Sequence, residues 1–502
     1  MTDGATPIIA TGTAPAAERK AQLGQFFTPP AIAAFMAGLF TAMPEDTCRL
    51  LDAGAGIGSL SNAFLRRWLV GGLGCQRVEV DAFEVDPALH PKLVDTLGQY
   101  RQYPGLSIRI RGEDFIDAAS DWLSGSLFAS PLPAYTHTIL NPPYKKIRSD
   151  SAHRAALRRA GIETVNLYTA FVALALDLLA EHGQLVAIIP RSFCNGPYYK
   201  PFRDFVLQRA ALRRMHLFES RTTAFKDDDV LQENIIILLE RGGLQGMVTV
   251  SLSTDDTFGD LVSHDYPFDQ IVLPDDPERF IHVPTAPEQS AVEQSTAICY
   301  SLADLGIAVS TGPVVDFRVK VHLRAMPEPD TAPLLYPTHF SGAAPAWPVA
   351  GKKPNAIQRN ADTDKWLYPT SFYCVVRRFS SKEEKRRVMA SVVDPALFAD
   401  ATMLGFENHL NVFHDNKQGL PEDLAHGLAV YLNTTAVDEQ FRRFNGHTQV
   451  NATDLRSIKY PSREILIELG NWARRQDHLT QVLIDDKLVG MNEGSCTRSR
   501  LS

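Results

Sequence analysis

Three glycines in "LLDAGAGIGSLSNAF", Gly54, Gly56 and Gly58, follow a short apolar run and open an amphipathic one. Glycines at such a turn let the main chain approach a ligand closely, although a tight strand-to-helix turn uses them as well. The acidic residues around them favour a ligand. Asp52 and Ala53 precede the glycines, Glu84 closes the next apolar run ("DAFEV"), and Asp114-Phe115 closes a third ("RGEDF"). A carboxylate at the end of a second strand suits a ribose diol. Asp114 is placed to accept from an adenine amino group, with Phe115 against the ring. The loop lacks the G-K-S/T of a phosphate cradle. A nucleoside without phosphates fits, and S-adenosylmethionine is such a ligand.

A second stretch asks for chemistry of its own. In "THTILNPPYKK" an apolar run stops at Asn141-Pro142-Pro143-Tyr144. Two consecutive prolines lack backbone N–H groups and have a fixed φ, so they cannot continue a central strand or a helix interior. The tetrapeptide therefore reads as a rigid strand exit that holds a polar and an aromatic side chain in a set backbone shape.

These residues need elements to position them. From about residue 48 to 240 the chain alternates apolar runs with amphipathic stretches. The runs are "CRLLDAG", "RVEVDAFEV", "LSIRIRGEDF", "HTILNPPY", "GQLVAIIP" and "ENIIILLER". Helical periodicity is clearest in "NLYTAFVALALDLLAEHG", read as ending on Gly183 as a C-cap. The alternation predicts an α/β, Rossmann-like doubly wound domain whose ligands sit at the carboxyl ends of strands. After Arg241 the texture turns Asp- and Pro-rich. The expected organisation is a leader over 1–20, an α/β domain over 21–245, and an α+β domain with long loops over 246–502.

The chain has 502 residues, 45% hydrophobic and 22% charged, as expected of a globular protein of two domains. Its six cysteines are scattered without a C-x-x-C pair, which suggests a reducing compartment and no structural zinc. His409 and His414 are five apart, wrong for one helical face, and no metal site is expected. The N-terminus lacks a basic segment before an apolar core, and no apolar span reaches 18 residues, so a soluble cytoplasmic protein with no membrane partner is expected. The net charge of −8 neither supports nor excludes nucleic acid, because phosphate binding needs only a local basic surface.

The order "GQFFTPP" (24–30), "DAGAGIG" (52–58), "FEVDP" (83–87), "EDF" (113–115) and "NPPY" (141–144) resembles the gamma class of amino-group DNA methyltransferases, the N6-adenine class of bacterial type II restriction–modification systems. The resemblance covers residues 20–240 by motif. It extends more loosely to "VSTGPVVDFR", "GFENHLNVFH" and "GHTQVNATDLR", similar to segments of target-recognition regions. It implies S-adenosylmethionine as cofactor, double-stranded DNA as substrate, and a monomer in a bacterial cytoplasm, close to the nucleoid, alongside a separate cognate endonuclease. The chemistry of the tetrapeptide follows. An exocyclic amine on a purine is a poor nucleophile because its lone pair is delocalised. The Asn141 side-chain carbonyl and the Pro142 main-chain carbonyl would accept from both N–H groups and turn that lone pair toward the methyl group. Pro143 helps to hold the backbone, and Tyr144 offers a face for the base. The resemblance also places Thr28 and Pro29 against the methionine end of the cofactor, and Phe225, in "TTAFKDDDVLQENIIILLE", against the flipped base.

Rival chemistries fit less well. Cytosine-C5 transfer needs a nucleophilic cysteine, usually after proline, and none of the six follows one. N4-cytosine enzymes usually carry Ser in place of Asn141. Protein-glutamine and RNA methyltransferases share N-P-P-Y and are the main enzyme alternative, but the small protein enzymes resemble neither "GQFFTPP" nor the large second half. A DNA reader without catalysis would not need the catalytic elements. Glu383-Glu384-Lys385 lacks the partner aspartate of a nuclease. In the second half, "VVRRFSSKEEKRRVM" collects Arg377, Arg378, Lys382, Lys385, Arg386 and Arg387, a phosphate-contacting set. "FRRFNGHTQVNATDLRSIKYPS" adds Arg442, Arg443, His447, Gln449 and Asn451, of which Gln and Asn suit adenine edges. These clusters also suit a solvated face, and "NATDL" a helix N-cap.

Overall fold

The computed structural model describes residues 28–127, 129–218, 233–274, 276–284, 298–341, 345–380, 384–398, 400–445 and 448–498. Phe225 and Lys382, like the leader over 1–20, lie outside the described residues. The apolar runs become strands: β1 (Thr47–Ala53), β2 (Arg77–Phe83), β3 (Leu106–Arg111), β4 (Tyr135–Leu140), β5 (Leu179–Pro190) and β7 (Asn234–Arg241). Three more join the same sheet, β6 (Ala210–Phe218), β8 (Val248–Ser253) and β9 (Val262–Tyr266), giving the order β3-β2-β1-β4-β5-β7-β6-β8-β9. The first five strands are mutually parallel, and β7 runs antiparallel between β5 and β6. All six residues of β4 are buried, as expected for a strand covered on both faces.

The described helices around this sheet include α1 (Pro30–Gly38), α2 (Ser59–Leu69), α3 (His90–Gly98), α4 (Phe115–Leu123), α5 (Ala152–Arg159), α6 (Leu167–Leu178) and α7 (Lys200–Arg209). Helix α1 packs on α2, and α4 packs on α5 and α6. Ile139, Val186 and Ile236 of the sheet join Phe40 and Phe64 in one fully buried cluster. β1 lies between β2 and β4, with Leu50 opposite His137 and Leu51 opposite Thr138. The chain order reverses there: β1 to β3 run outward one way, and β4 and β5 the other. In open α/β sheets ligands bind in the crevice at such a reversal, outside the carboxyl ends of the strands. The glycine loop leaves one side of that crevice and Asn141 the other.

Three expectations are corrected. Helix α6 ends at Leu178, not at Gly183; the left-handed residue beyond it is His182, with φ 62°. The Arg241 guanidinium donates to the carbonyl oxygens of Asp177 and Leu179, satisfying the helix end without a glycine cap. The boundary near residue 245 moves, because β8 and β9 extend the first sheet past it and the chain divides into the units Met1–Phe280 and Ile281–Ser502. The cysteines include one disulfide, Cys48–Cys75, with Cα atoms 6.1 Å apart; the parallel pairing of β1 and β2 sets Cys48 opposite Val78, close to where Cys75 enters β2.

The second unit is α+β, with sheets of two, four and five strands. Its four-stranded sheet contains Tyr373–Arg377 between Ala390–Val393 and Leu410–His414. Two of its helices, α8 (Glu422–Leu432) and α9 (Arg463–Ala473), touch backbone to backbone: a Cβ on Gly427 would overlap the carbonyl of Leu466, and one on Gly470 that of Asp423. Among the described residues no helix is long and apolar enough to cross a membrane.

Candidate active site

Gly54, Gly56 and Gly58 all take left-handed φ values, 78°, 58° and 85°, which other residues adopt only with strain. The loop they form is tied to the end of β2. The N–H groups of Gly54 and Ala55 donate to the carbonyl of Phe83, and that of Gly56 donates to Glu84 Oε2 at 2.8 Å. Glu84 Oε1 accepts from the Asp86 N–H at 2.7 Å. Burial raises the Glu84 carboxyl above its ordinary range, with those two N–H bonds opposing. Asp52 has another task. Its Oδ2 accepts from the Ser61 hydroxyl at 2.6 Å and the Ser61 N–H at 3.2 Å, which fastens the start of α2 to the end of β1. Its Oδ1 is buried without a hydrogen-bond partner, and burial pushes the carboxyl up to about 7. Ala53 is fully buried within the sheet.

Asp114 caps helix α4: its Oδ1 accepts from the N–H groups of Ile116 (2.8 Å) and Asp117 (3.2 Å). Its Oδ2 lies 3.2 Å from His153 Nε2. Burial alone would raise its carboxyl, but the His153 bond and charge and the two N–H donors leave it lower than usual. Asp114, Asp117 and His153 bring three potential ligand atoms within 4.8 Å, a grouping that sequence spacing did not reveal; the ion pair accounts for it without a metal. The stacking face expected of Phe115 is corrected. The ring is buried between Phe83 (5.3 Å) and Phe171 (5.1 Å), since the first residue of α4 faces the core.

The glycine turn, a carboxylate fixed by its backbone at β2, and Asp114 at β3 fit S-adenosylmethionine. The unpartnered Asp52 Oδ1 points the same way.

Across the crevice Asn141 leaves β4. Its Nδ2 donates to Thr28 Oγ1 at 3.0 Å and its Oδ1 accepts from the Tyr144 hydroxyl at 3.1 Å, so the "TPP" segment and the tetrapeptide meet. Pro142 is buried, while Pro143 and Tyr144 are half-buried. The Tyr144 hydroxyl also lies 3.1 Å from the carbonyl of Ile188 on β5, and its ring stands edge-on to Tyr168, 6.1 Å away. The backbone beyond is pinned to the entry of α6. The Leu167 N–H donates to the carbonyl of Lys145, and the Ile147 N–H to that of Val165, both at 2.8 Å. Sequence reasoning missed Tyr168, His153 and the Ile188 carbonyl. Tyr168 carried one signal, an aromatic in the first turn of a helix.

The basic residues of the second unit divide. Arg378 donates to Gln449 Oε1 at 3.2 Å beside the exposed Phe379, and Arg377 pairs with Glu384. Arg377, Arg378 and Gln449 are partly exposed. Three others, expected at a DNA surface, are corrected. Arg387 is 1% exposed and donates to Ser380 Oγ (3.1 Å) and Asn445 Oδ1 (3.0 Å). Asn451 caps the helix Ala452–Ser457 in a reciprocal capping box with Asp454. Arg386 donates to Gln481 and to the carbonyl of Thr434, and burial lowers its pKa.

The family described as Eco57I restriction-modification methylase has a model that matches residues 135–225, from β4 into the segment that carries Phe225. The type II methyltransferase M.BsuBI of Bacillus subtilis is 53% identical over 477 residues, 94% of this chain and 95% of that protein. The type II methyltransferase M.PstI of Providencia stuartii is 41% identical over 460 residues, 90% and 89% of the two chains. A solved structure, the type IIG restriction endonuclease BpuSI, aligns with a TM-score of 0.46 at 12% identity, over 91% of this chain and 62% of that one. With half its residues shared with M.BsuBI over almost the full length of both, and with the glycine loop and Asn141-Pro142-Pro143-Tyr144 facing one crevice, the chain belongs to the type II methyltransferase family.

Proposed function

We propose that the protein is a site-specific DNA-methyltransferase that methylates N6 of adenine. The observation that carries this is the place of Asn141, at the carboxyl end of β4, beside the glycine loop of β1, with its amide clamped between Thr28 and Tyr144. Bound over the glycine loop, S-adenosylmethionine supplies an electrophilic methyl group. Gly56, Glu84 and Asp114 hold the nucleoside part. Asn141 Oδ1 and the Pro142 carbonyl accept from the two N–H groups of the target amine and turn its lone pair toward that methyl group. A target inside a stacked duplex is out of reach, so the base is extruded, and Tyr144 and Phe225 stack on it. Transfer is direct, with no covalent enzyme intermediate. Asn rather than Ser at position 141 favours adenine over cytosine.

The first unit carries catalysis, and the second recognises the target, with Arg377, Arg378, Lys382 and Gln449 at the DNA. A cytoplasmic monomer working beside a separate cognate endonuclease completes the reading. Modification-sensitive sequencing of DNA from a host expressing the protein tests it. The expected outcome is N6-methyladenine at one short recurring sequence. Modified cytosine, or methyl groups found only on RNA or protein, would overturn the reading.

A further inference from the structure

Arg378 and Gln449 stand on two short segments of the second unit that pair through their main chains. The Ser380 N–H donates to the Thr448 carbonyl at 3.2 Å, and the Val450 N–H to the Arg378 carbonyl at 2.7 Å. Phe379 and Gln449 form an antiparallel bridge between them. The Arg378 N–H donates to the His409 carbonyl at 2.8 Å, and Asn445 Nδ2 to the Gln449 carbonyl at 3.0 Å, so the backbone of each residue is fixed. Their side chains then meet. Arg378 Nη2 donates to Gln449 Oε1 at 3.2 Å, and Nη1 to the Asn408 carbonyl at 3.3 Å. A guanidinium has donors and no acceptor, so only the oxygen end of the Gln449 amide can face it. The amide nitrogen is thereby turned away from Arg378 with both of its protons. Among the described residues those protons have no acceptor, and no carboxylate pairs with Arg378. Both side chains are partly exposed, so the pair presents donors alone.

A set of donors selects among base edges. In the major groove guanine shows two acceptors, N7 and O6, whereas adenine sets the N6 donor beside N7, cytosine shows a donor, and thymine one acceptor beside a methyl group. The bidentate match of glutamine to adenine needs the amide oxygen for the N6 proton, and Arg378 already occupies that oxygen. A phosphate also accepts only, but the flank of this pair is aromatic. The exposed Phe379 ring lies 6.0 Å from Arg378 Cζ, and the His409 ring lies 4.9 Å from Phe379. Such a flank suits a base better than a hydrated phosphate. We infer that Gln449, oriented by Arg378, is a specificity-determining residue that requires guanine at one position of the recognised sequence. This rests on the reading of the second unit as the part that recognises DNA. It replaces the adenine edge that a glutamine suits by residue type alone.

Full-length wild type and variants are expressed in a host lacking adenine methylation, and modification-sensitive sequencing reads the methylated sites. In Gln449→Leu one G·C position of the wild-type sequence should become tolerant of other base pairs while the remaining positions stay fixed. Duplexes carrying each of the four base pairs at that position then give binding ratios. The wild type should prefer G·C by about ten- to a hundredfold, the worth of a good base contact, and Gln449→Leu by less than about threefold. Gln449→Glu keeps a partner for Arg378 but presents oxygen only, and should lose the preference as well. Arg378→Ala frees the amide to turn and should admit adenine beside guanine. If Gln449→Leu does not fold, Gln449→Glu, which retains the Arg378 pairing, carries the test. Relaxation at a position other than G·C would overturn the inference. So would a preference kept in Gln449→Glu, since the oxygen end would then be the reader, or equal weakening on all four duplexes, the mark of a phosphate contact. A wild type that methylates no DNA sequence overturns the reading of the protein as a DNA methyltransferase, and this shows before any variant is compared.

Discussion

The Glu84 carboxylate accepts the main-chain N–H of Gly56 at 2.8 Å, so the acidic end of β2 and the glycine loop of β1 form one unit. The glycines keep their left-handed turn partly because Glu84 holds it, and Glu84 keeps its orientation because Gly56 and Asp86 donate to it.

From this unit follows a test of cofactor binding. Glu84→Ala removes both a ligand partner and the brace of the loop, and S-adenosylmethionine affinity should fall by about 1–3 kcal/mol, the usual worth of a charged hydrogen-bond partner. Glu84→Gln, which can still accept from Gly56, should lose less. Calorimetric titration reads both; unchanged affinity in Glu84→Ala would remove Glu84 from the site.

Asn141 and Tyr144 should fail in different ways. Asn141→Ala removes an acceptor that matters most as the amine becomes positive, so turnover should drop by about two to three orders of magnitude while DNA and cofactor binding change little. Tyr144→Ala removes stacking worth roughly 1–3 kcal/mol and should weaken capture of the extruded base as well. Tyr144→Phe keeps the ring and should preserve capture. The fluorescence of 2-aminopurine at the target position reports extrusion, and single-turnover kinetics report transfer.

In the second unit, Arg378 and Arg387 should separate recognition from folding. Arg378→Ala should weaken DNA binding and reduce the slope of log affinity against log salt by about one. Arg387→Ala removes the buried hydrogen bonds to Ser380 and Asn445, at about 2–4 kcal/mol, and should lower the melting temperature. A titration of DNA over a salt series, with a melting curve for each variant, checks the division.

Asp454 makes this unit sensitive to pH. It is fully buried, and burial raises its carboxyl from 3.8 to about 7, against the bonds from Asn451 and Asn445 and the attraction of Arg387. The folded state then holds a proton that the unfolded chain has already lost. The resulting stability is fully present below about pH 4 and is lost as pH rises through 7, by up to about 4 kcal/mol. Asp454→Asn should flatten the fall in the melting temperature of the second unit between pH 5 and 8. A slope identical to that of the wild type would assign the dependence to other groups.

The strands that read clearly from sequence are those buried on both faces. "HTILNPPY" and "ENIIILLER" are near-continuous apolar runs and became β4 and β7. β6 escaped notice because Arg213 and Arg214 interrupt its apolar run, where the pairing with β7 shifts register. Arg387 and Asn451 looked like nucleic-acid contacts because a run of basic and polar residues reads the same whether it faces solvent or caps and braces a core.

What the sequence determined by itself was local: Pro142 and Pro143 end a strand through their fixed φ and missing N–H, and Gly54, Gly56 and Gly58 permit the left-handed turn after β1, so both motifs and the α/β class are legible one segment at a time. Tertiary structure alone decided the long-range partners. Thr28 meets Asn141 across 113 residues, and Arg387 is enclosed with Asn445 across 58, contacts set by which strands lie side by side and which surfaces exclude water rather than by the identity of any neighbour in the chain.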